Sequence, residues 1–260
     1  TRPMTDKEEA LLDEAMESPS SGEATWPGPD GFGYSGATCT YDWVDVSGTG
    51  SPVALEDENR LGPFALGFSF TYYGTVATDV WMGSNGWLSI GVDDPGSSDL
   101  SNDCPLPNTN GNEMYIAGIH DDLDQNTAAP DGMGYYEAFA AGACPWGGYA
   151  GACFVAQWQG MYHYASAGDD LTFEIILLDD GRVIIQIADP GDEAGDSSTT
   201  GIEGLDVAAD HGLTYVCNTA GSIAANDCVE FMPPTGPVLG ATKTATAAAM
   251  PGDTVTYTVD

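Results

Sequence analysis

The 260 residues carry 40 Asp and Glu against five Lys and Arg, a formal net charge of −35. Such a chain repels nucleic acid and anionic lipid, and neither is expected as a partner. It has no apolar run near the roughly 18 residues of a membrane span, so no membrane insertion is expected. The charge fits either attraction of divalent cations or adaptation to salty water, where screening relieves self-repulsion; a merely solvated acidic surface is the plain alternative.

The chain opens at Thr1 without a basic-plus-apolar leader and reads as a mature or trimmed form. Thr5 and Glu8 make a capping box, and Leu11, Leu12, Ala15 and Met16 follow at helical spacing. This predicts a short helix over about residues 6–17 within an N-terminal segment, 1–24, with a frayed tail as the alternative. Residues 18–31 have the composition of a linker. A β domain over 25–234 follows. Phe64, Leu66, Phe68, Phe70 and Tyr72 alternate with small or polar residues, the pattern of a half-buried strand. Asn85-Gly86 sits between the apolar runs 79–82 and 87–90 and predicts a hairpin with a type I′ turn.

Further strand-like runs lie at 114–120, 134–139, 154–159, 171–178, 183–188, 201–207, 213–217 and 229–232. Asp179-Asp180-Gly181-Arg182 predicts a second hairpin. Consecutive apolar residues at Ile175–Leu178 and Val183–Ile185 predict central strands buried on both faces. About a dozen short strands with frequent turns define an all-β chain, an antiparallel β-sandwich or jelly roll. From 235 onward a Pro-rich linker leads to two strand candidates, 241–248 and 253–259. Two strands are too few to stand alone. They belong to a longer domain or pair elsewhere by strand addition.

Six cysteines, none in a CxxC pair, point to disulfides rather than zinc. Locality predicts Cys144–Cys153 and Cys217–Cys228 around Gly-rich loops, leaving Cys39 with Cys104. Disulfides imply an oxidising compartment: secreted, cell-surface or periplasmic.

Several motifs, in order, resemble nidogen-type extracellular domains. Residues 66–74 (LGFSFTYYG), Val80 and residues 84–89 (SNGWLS) are similar to an "FxFxxYG…V…SNGxLSF" opening. Residues 116–124 (IAGIHDDLD) resemble "IAPFWDDLD", with Ile119 and His120 standing where the family usually has Phe and Trp. Residues 134–136, 154–158, 172–177 with 181–184, and 201–204 resemble "VYY", "FVVxW", "TFQVILxxDGxI" and "VGIEN". The likeness covers roughly residues 60–217. The tail, with Thr242-Lys243-Thr244-Ala245 and Pro251-Gly252-Asp253-Thr254-Val255, looks like the first strands of an immunoglobulin-like repeat of bacterial surface proteins. These resemblances imply a secreted or cell-surface bacterial module that is structural or adhesive: part of a surface fibre, layer or giant adhesin; the acidic charge, for its part, fits a marine or halophilic setting. Its implied partners are further copies or neighbouring surface domains. The alternative is a ligand-binding accessory module, for glycan or protein, of a larger secreted protein.

No GxSxG, HExxH or Walker A pattern is present, and the chain is not expected to be an enzyme. Asp122, Asp124 and Asn126 copy the first ligand positions of a calcium loop. Thr127 and Met133 then break the EF-hand pattern. Asp121, Asp122, Asp124, Asn126 and Asp131 are therefore either a looser calcium site or turn-capping aspartates. Asp189, Asp192, Glu193 and Asp196 form a second acidic loop open to the same two readings. His120 and His163 lie on strand-like segments and could share a face, without an identifiable third zinc ligand. Trp146, Tyr149, Tyr162 and Tyr164, beside His163, make a candidate aromatic platform for sugar, with core packing as the alternative.

Overall fold

A computed structural model describes residues 26–91, 100–102, 104–108, 114–125, 132–164, 170–192, 194–205 and 210–236. The expected N-terminal helix and the C-terminal strand pair lie outside the described residues. The rest is an antiparallel two-sheet sandwich. One sheet contains β1 (Ser35–Thr38), β2 (Ser51–Val53), β7 (Leu123–Asp124), β8 (Met133–Phe139), β9 (Cys153–His163), β10 (Asp170–Leu178), β11 (Val183–Pro190) and β14 (Asp227–Met232). Its order is β1-β14-β11-β10-β9-β8-β2, with β7 paired to the end of β9. The other contains β3 (Arg60–Tyr72), β4 (Thr75–Gly83), β5 (Trp87–Ile90), β6 (Tyr115–His120), β12 (Thr199–Glu203) and β13 (Gly212–Cys217), in the order β13-β12-β6-β5-β4-β3.

The core fills the space between the sheets. Leu66, Phe70, Tyr72, Val80, Met82, Leu88 and Ile116 of one sheet meet Phe154, Trp158, Phe173, Ile175, Leu177 and Ile185 of the other, all fully buried. Trp158 stacks on Phe173 at 5.0 Å, and its indole N–H donates to Gly83 O. The expected burial of β10 and β11 on both faces is found. Ile176, Leu178 and Ile184 point away from the main core into a second cluster with Val44, Val46, Val155 and Trp146.

That second cluster exists because the connection after β1 runs as a strap across the outer face of the sheet. Three polar side chains on adjacent strands read its backbone at alternate residues. Gln186 Oε1 accepts from Asp42 N at 2.6 Å, Glu174 Oε1 from Val44 N at 3.1 Å, and Gln157 Oε1 from Val46 N at 2.9 Å. Gln186 Nε2 also donates to Glu174 Oε1 and to Asp42 O. Buried polar groups must be matched in this way, because an unmatched one costs about 1–3 kcal/mol.

Two expectations need correction. The Ser84-Asn85-Gly86 turn is a three-residue connection in which Gly86 alone has positive φ, so it is not type I′. A Cβ at Gly86 would stand 1.9 Å from Ile119 O, which is why only glycine fits. Asn85 is buried and accepts from Leu123 N, so this turn locks β7 in place rather than facing solvent. The disulfides are Cys39–Cys228, Cys104–Cys217 and Cys144–Cys153. Only the third pairs locally. Cys217 ends β13 and Cys228 lies in β14, strands of opposite sheets, so the short connection between them crosses the sandwich and keeps the two thiols apart. Each pairs instead with a segment lying beside its own strand.

The sheet edges are mostly covered. Gly36 N of β1 donates to Pro27 O, and Trp26 packs over Gly36. The 104–108 segment hydrogen-bonds Thr214 of β13 and is tied there by Cys104–Cys217. β2 has three residues. The 13-residue β3 is the long open edge among the described strands, and Pro63 and a register shift between Ala65 and Phe70 interrupt it.

Candidate functional site

The acidic motif after β6 is divided by the fold. Asp121 is 5% exposed and turns inward. It accepts from Ser197 Oγ at 2.6 Å and from Asp122 N at 2.8 Å, and lies 3.3 Å from His163 Nε2. In this Ser–Asp–His chain the carboxylate stands in the middle, and the serine donates to it. A serine nucleophile needs the imidazole as its base instead. His120 is buried on β6, with Nδ1 2.6 Å from Tyr115 Oη. His163 lies on β9 in the opposite sheet, so the two histidines share no sheet face. His211 packs at 5.6 Å on Tyr73.

Asp122 points elsewhere. Its carboxylate meets those of Asp57 and Glu58, with ligand-capable oxygens all within 4.8 Å of one another. Desolvation, then the Asp57 charge, raises the Asp122 pKa. Asp122 Oδ1 and Asp124 Oδ1 are closed off from solvent and have no hydrogen-bond partner among the described residues. Asn126 and Asp131 lie outside the described residues. Asp57 and Glu58 were not found by sequence reasoning. They sit in an unremarkable acidic run more than 60 residues before Asp122, and only the return of the chain beside β7 joins them to it. The arrangement suits a hard divalent cation held by oxygen ligands. In the second acidic loop, Asp189 Oδ1 accepts from Gly191 N and caps its own turn.

The ion reading has a direct check. After chelation, calcium is expected to raise Tm by about 5–10 °C above sodium at matched ionic strength, the gain for a ligand at roughly 100 times its Kd. The increment should vanish in Asp122→Asn. Equal responses to the two salts would mean that screening alone acts.

The aromatic platform is also divided. Tyr162 and Tyr164 lie at the β7 end of β9, where Tyr162 pairs with Asp124. Trp146 and Tyr149 lie beyond its other end, on the loop closed by Cys144–Cys153. Nine residues of extended chain, about 30 Å, separate the two ends. The strap brings Tyr41 and Asp42 beside Trp146 and Tyr149, and Arg182 and Glu230 complete the walls of an open groove of about 1160 Å³. A smaller pocket of about 350 Å³ lies among Phe32, Tyr34, Tyr73, Pro233 and Pro234.

Two antiparallel sheets, three disulfides and a strapped outer face define a disulfide-braced β-sandwich module. The chain belongs to the NIDO-related family, whose model matches residues 32–239. This supports the nidogen-type likeness read from the motifs. No curated protein and no solved structure matches the chain. Among the described residues no helix is long and apolar enough to cross a membrane.

Proposed function

We propose that this chain is a non-catalytic structural and adhesive module of a bacterial surface fibre, layer or giant adhesin, working in salty surroundings. Family membership and the disulfides support the extracellular setting. The observation that carries the structural role is how polar groups are used. The buried Gln157, Glu174 and Gln186 fasten a strap, and Ser197, Asp121 and His163 tie loops together. A net charge of −35 suits high salt, where repulsion between copies is screened.

Its partners in this reading are further copies or neighbouring surface domains, joined by strand pairing. The open edge of β3 is the long acceptor among the described strands. The expected result is multi-subunit material in molar salt, visible by light scattering and as ordered polymers by electron microscopy. Deleting residues 236–260 is expected to leave the sandwich folded and to abolish that material. A chain that stays monomeric at high concentration in salt would remove self-association.

A further inference from the structure

We infer that the groove between the strap and the Cys144–Cys153 loop is a binding site for a neutral oligosaccharide. This rests on the adhesive reading above and names the chemistry of what is bound.

The groove is built around Arg182. Its Nε bonds Asp180 Oδ2 at 2.9 Å and its Nη1 bonds Glu230 Oε1 at 2.7 Å. The guanidinium lies 5.9 Å from the Trp146 ring centroid and 5.2 Å from that of Tyr149. These bonds leave Nη2 without an acceptor among the described residues. The second oxygens of Glu230 and Asp42 likewise have no donor there, since Glu230 Oε1 takes Arg182 and Asp42 Oδ2 takes Gly147 N. The Tyr41 hydroxyl has no partner among the described residues either, and the ring lies half-buried against Trp43. The side chains are held rather than loose: Arg182 is 27% exposed and Glu230 16%.

The surroundings are braced. Cys144–Cys153 closes the loop, Asp179 accepts from Ala152 N and the Tyr149 hydroxyl, and Cys39–Cys228 anchors the start of the strap. Gly147 and Gly148 have positive φ, and a Cβ at either would meet nothing within 4 Å. They are needed for the tight turn rather than to avoid a clash. A preset site loses little entropy on binding.

Charge and shape select the ligand class. Asp42, Asp179, Asp180 and Glu230 surround one already paired cation, so phosphates and uronates are repelled. A basic side chain would meet Arg182 head-on, where the Trp146 and Tyr149 faces are already taken. A sugar ring suits what remains. Its C–H face packs on Tyr41. Each hydroxyl both accepts and donates, so neighbouring hydroxyls can take a hydrogen from Nη2 and give one to Glu230 or Asp42. The open form and the volume, above the roughly 300–1,000 Å³ of small-molecule pockets, suit several linked rings.

The test titrates the full chain with linear neutral hexasaccharides of glucose, mannose, galactose, xylose and N-acetylglucosamine, with a hexauronate as the anionic control, by calorimetry and saturation-transfer NMR. At least one neutral hexamer is expected to bind with a Kd between about 10 μM and 1 mM, and the hexauronate is expected not to bind. Tyr41→Ala and Glu230→Gln should each weaken binding at least about tenfold, with circular dichroism unchanged. If one variant misfolds, the other still decides. Absence of binding by all five neutral hexamers at millimolar concentration, preference for the hexauronate, or undiminished binding in the folded variants would overturn the inference. Polymers seen by electron microscopy alongside failed sugar binding would leave the structural reading standing and remove this one.

Discussion

Replacing both Cys39 and Cys228 with serine is expected to destabilise the protein by about 4 kcal/mol, against about 2–3 kcal/mol for the Cys144/Cys153 pair. The difference comes from the loops each bond closes in the unfolded chain. Cys39 and Cys228 are 189 residues apart, whereas Cys144 and Cys153 are nine apart. The Cys104–Cys217 bond already shortcuts the larger loop, so the expected value lies below the full-length figure. A local effect adds to the entropic one. Cys39 N donates to Cys228 O, and the bond fixes the point where β1 becomes the strap. Its loss should therefore speed hydrogen exchange at Asp42, Val44 and Val46 before global unfolding. Denaturant midpoints at unchanged m-value give the comparison. A Cys144/Cys153 variant that costs as much as the Cys39/Cys228 variant, or unchanged exchange along the strap, would sink this account.

The fold was largely legible because its strands obey short-range rules. Apolar alternation marked β3, and continuous apolar runs marked β10 and β11 as the strands covered on both sides. Turn residues marked the hairpins. What failed had a shared cause, which is that sequence distance does not measure distance across a sandwich. Cys217 and Cys228 are close in the chain but belong to opposite sheets. Asp57, Glu58 and Asp122 are far apart in the chain and meet. The aromatic platform failed in the same way, because β9 carries Tyr162 away from Trp146. The strap was missed for a different reason. Residues 41–46 (YDWVDV) do not alternate, since Trp43 and Val44 are consecutive apolar residues, and their burial depends on polar partners on three separate strands. A glutamate between Leu171-Thr172-Phe173 and the apolar run Ile175–Leu178 gives no sign that it will sit inside a wall.

That glutamate makes stability depend on pH in a direction opposite to most carboxylates. Glu174 is 0% exposed. Burial pushes its pKa up from 4.5 to about 8, against the lowering effect of the Val44 N–H and Gln186 hydrogen bonds; the nearby Asp45 and Asp42 charges push it further up. Below about pH 4.5 both folded and unfolded chains hold the proton, and the group carries no penalty. Between about 4.5 and 8 the folded chain keeps a proton that the unfolded chain releases. Stability therefore falls as pH rises through this window, and above about pH 8 the full cost is present. A shift of this size corresponds to a few kcal/mol, with about 4–5 kcal/mol as the ceiling. Glu174→Gln keeps an acceptor for Val44 N and Gln186 while removing the charge. The variant is expected to gain stability relative to the wild type steadily from pH 5 to pH 8.5, by roughly 2–4 kcal/mol in all. Working in high salt damps the many surface carboxylates, and the difference between the two proteins cancels what remains of them. The strap should report the same event. Wild-type exchange at Val44 N, the donor to Glu174, is expected to accelerate relative to Glu174→Gln above pH 7, beyond the intrinsic rise in exchange rate. A stability difference that does not change with pH would show that Glu174 keeps an ordinary pKa in the folded chain, and the strap would then be held by neutral rungs on either side of a solvated charge.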